Sequence, residues 1–147
     1  MNPQRGYTLV ELMIALAITG VITTVLGLVV QQIFTVPEQN NGKIAATHAV
    51  QNAGHWVGLD GQTATGATGG SSLTLALADN STVSYILYGD ELHRVCGSSN
   101  RTIARNISSA SFSVTGNMIT MDIESTPSSR WNVSENGTYQ VCMRSTG

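Results

Sequence analysis

The stretch that decides the fold is YTLVELMIALAITGVITTVLGLVV, which runs from Tyr7 to Val30. Its only charged residue is Glu11, and a helix of this length, at about 1.5 Å per residue, spans the roughly 30 Å of a bilayer core. Arg5 is the only cation before it, and no cation follows until Lys43. The positive-inside rule therefore predicts a single membrane span with a cytoplasmic N-terminus and an exported remainder.

The composition limits what the remainder can be. The chain has 147 residues, enough for one globular domain beside the span. Charged residues make up 11% of it, against roughly 25% in an average soluble domain, and uncharged polar residues fill the difference. The net charge of −2 provides no global basic field, so nucleic-acid binding through phosphate neutralisation is disfavoured.

The segment around Glu11 carries a second pattern. A carboxylate near the start of a spanning helix is costly in the membrane and needs a partner. Residues 5–13, RGYTLVELM, resemble the prepilin leader of type IV pilins and type II secretion pseudopilins, which a membrane aspartyl peptidase, the prepilin peptidase, cuts after the glycine. The alternative is a plain transmembrane anchor in which the acid falls near the helix start by chance.

The resemblance implies roles for three residues. Gly6 would be the last residue of a leader peptide, 1–6, and Tyr7, where the family more often has Phe, would become the new and N-methylated N-terminus. Glu11 would dock subunits, because in the family's filaments this glutamate faces the N-terminal ammonium of a neighbouring subunit. Such a charge pair in a water-poor core satisfies two groups that are each costly alone.

Beyond the leader, the sequence predicts four segments. Residues 7–34 are expected to form a transmembrane and filament-core helix, and a kink or break is expected near Pro37 because proline removes a helical hydrogen bond. Residues 35–58 are expected to form an amphipathic second half of the helix. The Gly/Thr-rich residues 59–70 are expected to form a loop, and residues 71–147 an antiparallel β-sheet domain. The apolar residues that define the amphipathic face are Ala46, Ala49, Ala53, Trp56 and Val57.

Two-residue turns set the strand register in the sheet domain. Gly-Asp at 89–90 and Gly-Asn at 116–117 predict type II′ hairpins that bring the apolar residues of their strands opposite one another. The predicted pairs are Leu87 with Leu92, Val83 with Cys96, Val114 with Ile119, Phe112 with Met121 and Ala110 with Ile123. The expected fold is therefore α+β, a long N-terminal helix packed on an antiparallel sheet, which is also the fold that the pilin resemblance implies.

The two cysteines, Cys96 and Cys142, fit one disulfide in an oxidising compartment. Such a bond would tie the last predicted strand, residues 138–143, to the second hairpin, and in the chain-entropy model a loop of that size gives roughly 4 kcal/mol. Two buried free thiols are the alternative, because a reduced protein would have the same sequence.

The sequence shows no catalytic constellation. There is no Gly-x-Ser-x-Gly motif, and His48, His55 and His93 are not placed by sequence near a nucleophile and an acid. We therefore expect no enzyme activity and no cofactor. His48, Asn52 and His55 share one side of a predicted helix, but a zinc site wants three or four ligands with defined second shells, so we expect no metal site here.

Two further groups of charges have ordinary interpretations. The acidic pairs at 90–91 and at 122 and 124 lack the regular spacing of a calcium loop and are read as solvated charges. Arg94, Arg101 and Arg105 form a basic segment that fits a solvated surface or a subunit contact, and they are weak evidence for DNA binding.

These observations together predict a structural subunit of a type IV pilus or type II secretion pseudopilus. The second half of the chain resembles, loosely, the minor pilins of the W type and the minor pseudopilin of the J type. A major pilin and a membrane-anchored extracytoplasmic binding module that never polymerises remain alternatives. The resemblance implies the prepilin peptidase and other pilin subunits as partners, with residence in the inner membrane before export into a filament at the cell surface.

Overall fold

The computed structural model describes residues 8–127 and 132–144, with the backbone alone for residues 35–39. This part of the chain contains one α-helix, α1 (Leu9–Thr63), followed by eight strands. The chain divides between Glu38 and Gln39 into two compact units. The strands, all in the second unit, are β1 (Ala64–Thr68), β2 (Ser72–Leu77), β3 (Thr82–Tyr88), β4 (Glu91–Cys96), β5 (Ser99–Ala104), β6 (Ile107–Thr115), β7 (Met118–Ser125) and β8 (Glu135–Cys142).

Helix α1 continues past both points where the sequence predicts an end. The helical backbone runs without interruption through Pro37, so the expected break there is wrong, while a kink at this residue stays a prediction. One proline removes a single backbone hydrogen bond, and the turns on either side keep theirs. The apolar N-terminal helix is confirmed over Leu9–Phe34.

The predicted loop at 59–70 is also wrong. Residues 59–63 complete α1 and Ala64–Thr68 form β1. The glycine in this last part of the helix fits closely against another element: a Cβ on Gly61 would lie 2.6 Å from Cγ1 of Val141. The Thr- and Ala-containing residues that follow pair along β2, and tertiary pairing overrides weak local propensity.

The strands form two antiparallel sheets where the sequence predicts one. The first sheet has the order β1-β2-β3-β4-β5 and the second has the order β6-β7-β8. Asn106, between β5 and β6, adopts a left-handed backbone with φ of 58°, which turns the chain out of the first sheet. The sheets meet at a bridge in which Gly70 N donates to Phe112 O at 2.8 Å and Phe112 N donates to Gly70 O at 3.0 Å.

Both predicted hairpins are confirmed, with the predicted register. Gly89 and Gly116 each have φ of 60°, and Asp90 and Asn117 are not among the residues with positive φ, as a type II′ turn requires. The predicted pairs that form are Leu87 with Leu92, Val83 with Cys96, Val114 with Ile119, Phe112 with Met121 and Ala110 with Ile123.

The second unit is held together by one face of α1. Ala46, Val50, Ala53 and Val57 are buried at steps of three and four residues, the period of a helix face. Val50, Ala53 and Val57 belong to a core that takes side chains from both sheets, including Leu73, Tyr85 and Met121. On the same helix, Gly54 lies directly under the ring of Tyr139, which allows β8 to pack close to the backbone of α1.

The predicted disulfide is absent. Cys96 and Cys142 are free thiols, on strands of different sheets. Cys96 packs against the core. Near the end of the chain, Tyr139 and Val141 of β8 and Met143, the residue after β8, pack against the core. Since side chains alternate along a strand, Cys142 lies on the outer face and is exposed.

We predict opposite effects for two glycine substitutions in α1. A Cβ at Gly54 would overlap the ring of Tyr139, whereas a Cβ at Gly58 meets no atom within 4 Å. Gly54→Ala should lower the free energy of unfolding by about 1–3 kcal/mol through overpacking. Gly58→Ala should raise it by about 0.5–1 kcal/mol, because alanine favours the helix.

Urea unfolding of the full-length chain in detergent measures both changes. Equal effects of the two substitutions would contradict the close packing of α1 on β8.

Candidate functional site

The N-terminal helix begins with a reciprocal cap. Thr8 precedes the first helical residue, Leu9, and its Oγ1 accepts a hydrogen bond from the backbone N–H of Glu11 at 3.2 Å. In return, Oε2 of Glu11 accepts bonds from the backbone N–H and the hydroxyl of Thr8, each at 3.3 Å. This is the geometry of a capping box, and a carboxylate in the first turn also complements the helix dipole.

The cap occupies one oxygen of Glu11 and leaves the other available. Both bonds from Thr8 end on Oε2, and within residues 8–127 and 132–144 Oε1 accepts no hydrogen bond and Glu11 joins no ion pair. Its side chain is exposed. The cap thus holds the carboxylate of Glu11 at the start of the helix through one of its two oxygens.

The part of α1 up to Phe34 has an apolar surface. Leu9–Phe34 covers 26 residues with a mean hydropathy of 2.5 and none of it buried, a length and composition that suit a bilayer crossing. The hydroxyls of Thr19, Thr23 and Thr24 donate to the carbonyls four residues earlier at 2.7–2.8 Å. Because these polar groups are satisfied within the helix, the segment can enter a water-poor environment at low cost.

The predicted processing residues, Gly6 and Tyr7, lie outside the described residues. The structure describes Thr8 and Glu11, which lie two and five residues after Gly6. It does not describe the Gly6–Tyr7 bond itself. Cleavage after Gly6 and methylation of Tyr7 stay predictions.

A polar network in the second unit fixes α1 to the first sheet. Asp60 of α1 accepts hydrogen bonds from Arg94 Nε at 2.6 Å and Nη2 at 2.9 Å, and also from the hydroxyl of Tyr85. The side chains of Asp60 and Arg94 are only 13% and 20% exposed. A bidentate pair of this kind, with a further hydrogen bond from the Tyr85 hydroxyl, orients the helix on strands β3 and β4.

The pKa values of two side chains in this network are raised. Burial raises the pKa of Tyr85 well above its ordinary value of 10.0, and the hydrogen bond to ionised Asp60 adds to this shift. The hydrogen bond to Asp60 raises the pKa of the Arg94 guanidinium. Arg94 therefore stays charged and Tyr85 stays neutral over the physiological range.

Two of the three arginines of the basic segment lie over the Trp56 ring. The guanidinium carbon of Arg94 lies 5.2 Å and that of Arg101 5.5 Å from the centre of the Trp56 ring, within the range of a cation–π contact. The third arginine, Arg105, pairs at the surface with Glu91 at 2.9 Å. The structure thus gives these arginines three different surroundings.

The polar helix residues line a groove between α1 and β5. Its volume is about 530 Å³, and His48, Asn52 and Arg105 are among its lining residues. Asn52 Nδ2 donates to the carbonyl of Ile103, so this side chain ties the helix to the edge strand. Among the residues that the structure describes, no group of three or more His, Cys, Asp or Glu is placed to hold a metal ion.

Sequence reasoning missed Asp60 and the cap. Asp60 falls in a segment predicted as loop, and its partners lie 25 and 34 residues later in the chain, so no local pattern marks it. The cap was visible in principle, because Thr8-x-x-Glu11 has the spacing of a capping box.

We predict that Tyr85 makes the second unit sensitive to alkali. Since the pKa of Tyr85 is raised in the folded state, the unfolded chain loses this proton first as pH rises, and the folded state loses stability above pH 10. The free energy of unfolding should fall there by up to about 1.4 kcal/mol per pH unit from this group.

Urea unfolding of the full-length chain in detergent, followed from about pH 8 to about pH 11, measures this slope. Tyr85→Phe should flatten it, while Tyr88→Phe, which changes an exposed tyrosine of the same strand, should leave it unchanged. An unchanged slope in Tyr85→Phe would contradict the assignment.

Comparison with known families addresses the N-terminal segment. The family model of the prokaryotic N-terminal methylation motif matches residues 1–27, which include Gly6, Tyr7 and the Thr8–Glu11 cap. Searches of the curated proteins and of the solved structures find no match. The chain carries a prokaryotic N-terminal methylation motif that includes most of its apolar helix, with an α+β fold, and it is consistent with the type IV pilin and pseudopilin family.

Proposed function

We propose that this chain is a structural subunit, a minor pilin or minor pseudopilin, of a type IV pilus or a type II secretion pseudopilus. One observation carries the proposal: a methylation motif over residues 1–27 overlaps an exposed apolar helix, Leu9–Phe34, that has a single carboxylate near its start. A helix of this kind can be stored in a membrane and later packed against other helices. The proposed role is structural and involves no enzymatic step.

Processing comes first in the proposed sequence of events. The prepilin peptidase cuts the peptide bond between Gly6 and Tyr7, which releases residues 1–6, and the new N-terminal amine of Tyr7 is methylated. This cut places a cationic N-terminus four residues before Glu11. Before the cut the N-terminus lies in the cytoplasm, since Arg5 is the cation that flanks the span.

Glu11 then docks the subunit on its neighbour. In a spanning helix an unpaired carboxylate costs up to about 3 kcal/mol, falling toward the interface, and the Thr8 bonds satisfy only Oε2. The N-terminal ammonium of an adjacent subunit would supply the missing partner for Oε1. The pair becomes strong because lipid or helix packing excludes water.

Assembly transfers the apolar helix from lipid to protein. The surface of Leu9–Phe34 is uncovered in the single chain, and in a filament the same surface is covered by equivalent helices. The second unit, which begins at Gln39, would remain on the extracytoplasmic side and form the outer surface of the filament.

We predict that Glu11→Gln separates membrane insertion from assembly. Glutamine keeps the side-chain acceptor that caps Thr8 but removes the charge that pairs with an ammonium. The variant should reach the membrane at the wild-type level and enter filaments at least about tenfold less, the effect of losing a charge pair of about 1.4 kcal/mol or more.

Quantitative immunoblotting of sheared filaments and of membranes measures both levels. Glu38→Gln, which removes one carboxylate beyond the apolar span, serves as the matched control and should assemble normally. Entry of Glu11→Gln into filaments at the wild-type level would show that Glu11 has no docking role.

A further inference from the structure

Strand β5 is an open edge of the first sheet. It is the last strand in the order β1-β2-β3-β4-β5, and β4 is the only described strand that pairs with it. At the other edge of this sheet, Ala64 O of β1 accepts a backbone hydrogen bond from Arg144 N. An open edge presents backbone N–H and C=O groups that a further strand can join.

The turn before β5 determines which of its backbone groups face outward. The two-residue turn at 97–98 joins β4 to β5, and Ser99 belongs to the strand pair that closes it. Because that pair exchanges backbone hydrogen bonds and such pairs alternate along the strands, Arg101 bonds to β4, whereas Asn100 and Thr102 direct their backbone groups to the edge. Among the described residues, neither Asn100 nor Thr102 has a backbone hydrogen bond on that side.

The groove beside this edge has room for an added strand. Its volume of about 530 Å³ lies between His48 and Ala49 of α1 and the end of β5. A strand joined to β5 would direct alternate side chains toward α1 and toward the outer face of the first sheet. Since Asn52 already occupies Ile103 O, the open part of the edge is residues 99–102.

The charges at this edge favour an acidic partner. Arg94 and Arg105 pair with Asp60 and Glu91, although Arg105 is still 72% exposed. Arg101 is exposed and joins no ion pair within residues 8–127 and 132–144. Three arginines and two carboxylates leave one positive charge in excess here, in a chain whose net charge is −2. Carboxylates on an added strand would complement that excess.

We propose that β5 binds an extended, carboxylate-bearing segment of a different protein chain, which joins the five strands of the first sheet as a sixth. A second copy is a poor partner, because pairing of two β5 strands would bring Arg101 and Arg105 of both copies to one interface. Strand β7, which carries Asp122 and Glu124, is paired on both sides and has no edge to offer. The inference rests on the proposed function, in which a minor subunit contacts chains unlike itself, and it names the kind of contact.

Photo-crosslinking in cells tests this contact in the full-length chain. Benzoylphenylalanine at position 100 should form, on irradiation, an adduct with a different chain, and mass spectrometry should place the crosslink in a segment that carries carboxylates. Thr74 is the matched control position. It is exposed in the same cross-strand row as Asn100, but its strand, β2, is paired on both sides, so the adduct there should stay at background.

Two substitutions separate the backbone contact from the charge contact. Thr102→Pro removes the outward N–H and leaves the hydrogen bonds to β4, so the adduct at position 100 should fall at least about tenfold. Thr102→Ala keeps the N–H and should retain the adduct. Arg101→Glu should also lower the adduct at least about tenfold, whereas Arg144→Glu makes the same charge change at another exposed arginine and should not.

The outcomes distinguish this contact from the function on which it rests. Absence of the wild-type chain from sheared filaments would overturn the proposed function and, with it, a contact between subunits. If the wild type is present there, an adduct at position 100 no stronger than at position 74 would overturn the contact alone. An adduct between two copies of this chain, a crosslinked segment without carboxylates, or an adduct unchanged by Thr102→Pro and Arg101→Glu would do the same.

Discussion

The constraint on which the molecule depends is an apolar helix surface that is exposed among the residues that the structure describes. Leu9–Phe34 presents this surface along its whole length, and water is a poor solvent for it. A lipid bilayer would cover it, and under the proposed function the equivalent helices of other subunits would cover it in a filament core. Within that surface Glu11 is the one charge, and among the described residues only Thr8 bonds to its carboxylate; the proposed docking on a neighbouring subunit would give it a second partner.

The second unit, unlike Leu9–Phe34, buries its apolar residues in a core of its own. Helix α1 lies close to β8 through Gly54 and Gly61 and is oriented on the first sheet by the Asp60–Arg94 pair. These contacts attach one helix to both sheets and leave polar side chains on the outer faces. A unit built in this way has its own core, which is what the proposed function requires of the part that faces solvent in a filament.

Local pattern predicted much of the fold and less of the site. Alternation and the two Gly-containing turns were sufficient for the registers of β3–β4 and β6–β7, because the side-chain period and the turn length leave one choice. Three features depended on long-range packing. The helix continues through residue 63 because Gly61 fits against Val141, and the second sheet follows the left-handed backbone of Asn106. Cys142 is a free thiol on the outer face because the alternate residues Tyr139 and Val141 face the core. Glu11 could be chosen as a candidate site residue from its position after Gly6, and its docking role stays a prediction. The contacts of Asp60 with Tyr85 and Arg94 could be found only from the three-dimensional structure.

The central claim is that the chain is cut after Gly6 and joins a filament by the end so created. The most direct measurement is the intact mass and N-terminal sequence of the protein recovered from membranes of cells with and without a prepilin peptidase. The account predicts a chain that begins at Tyr7 and carries one added methyl group, seen only when the peptidase is present. An uncut chain that still begins at or beside Met1 in both strains would contradict it.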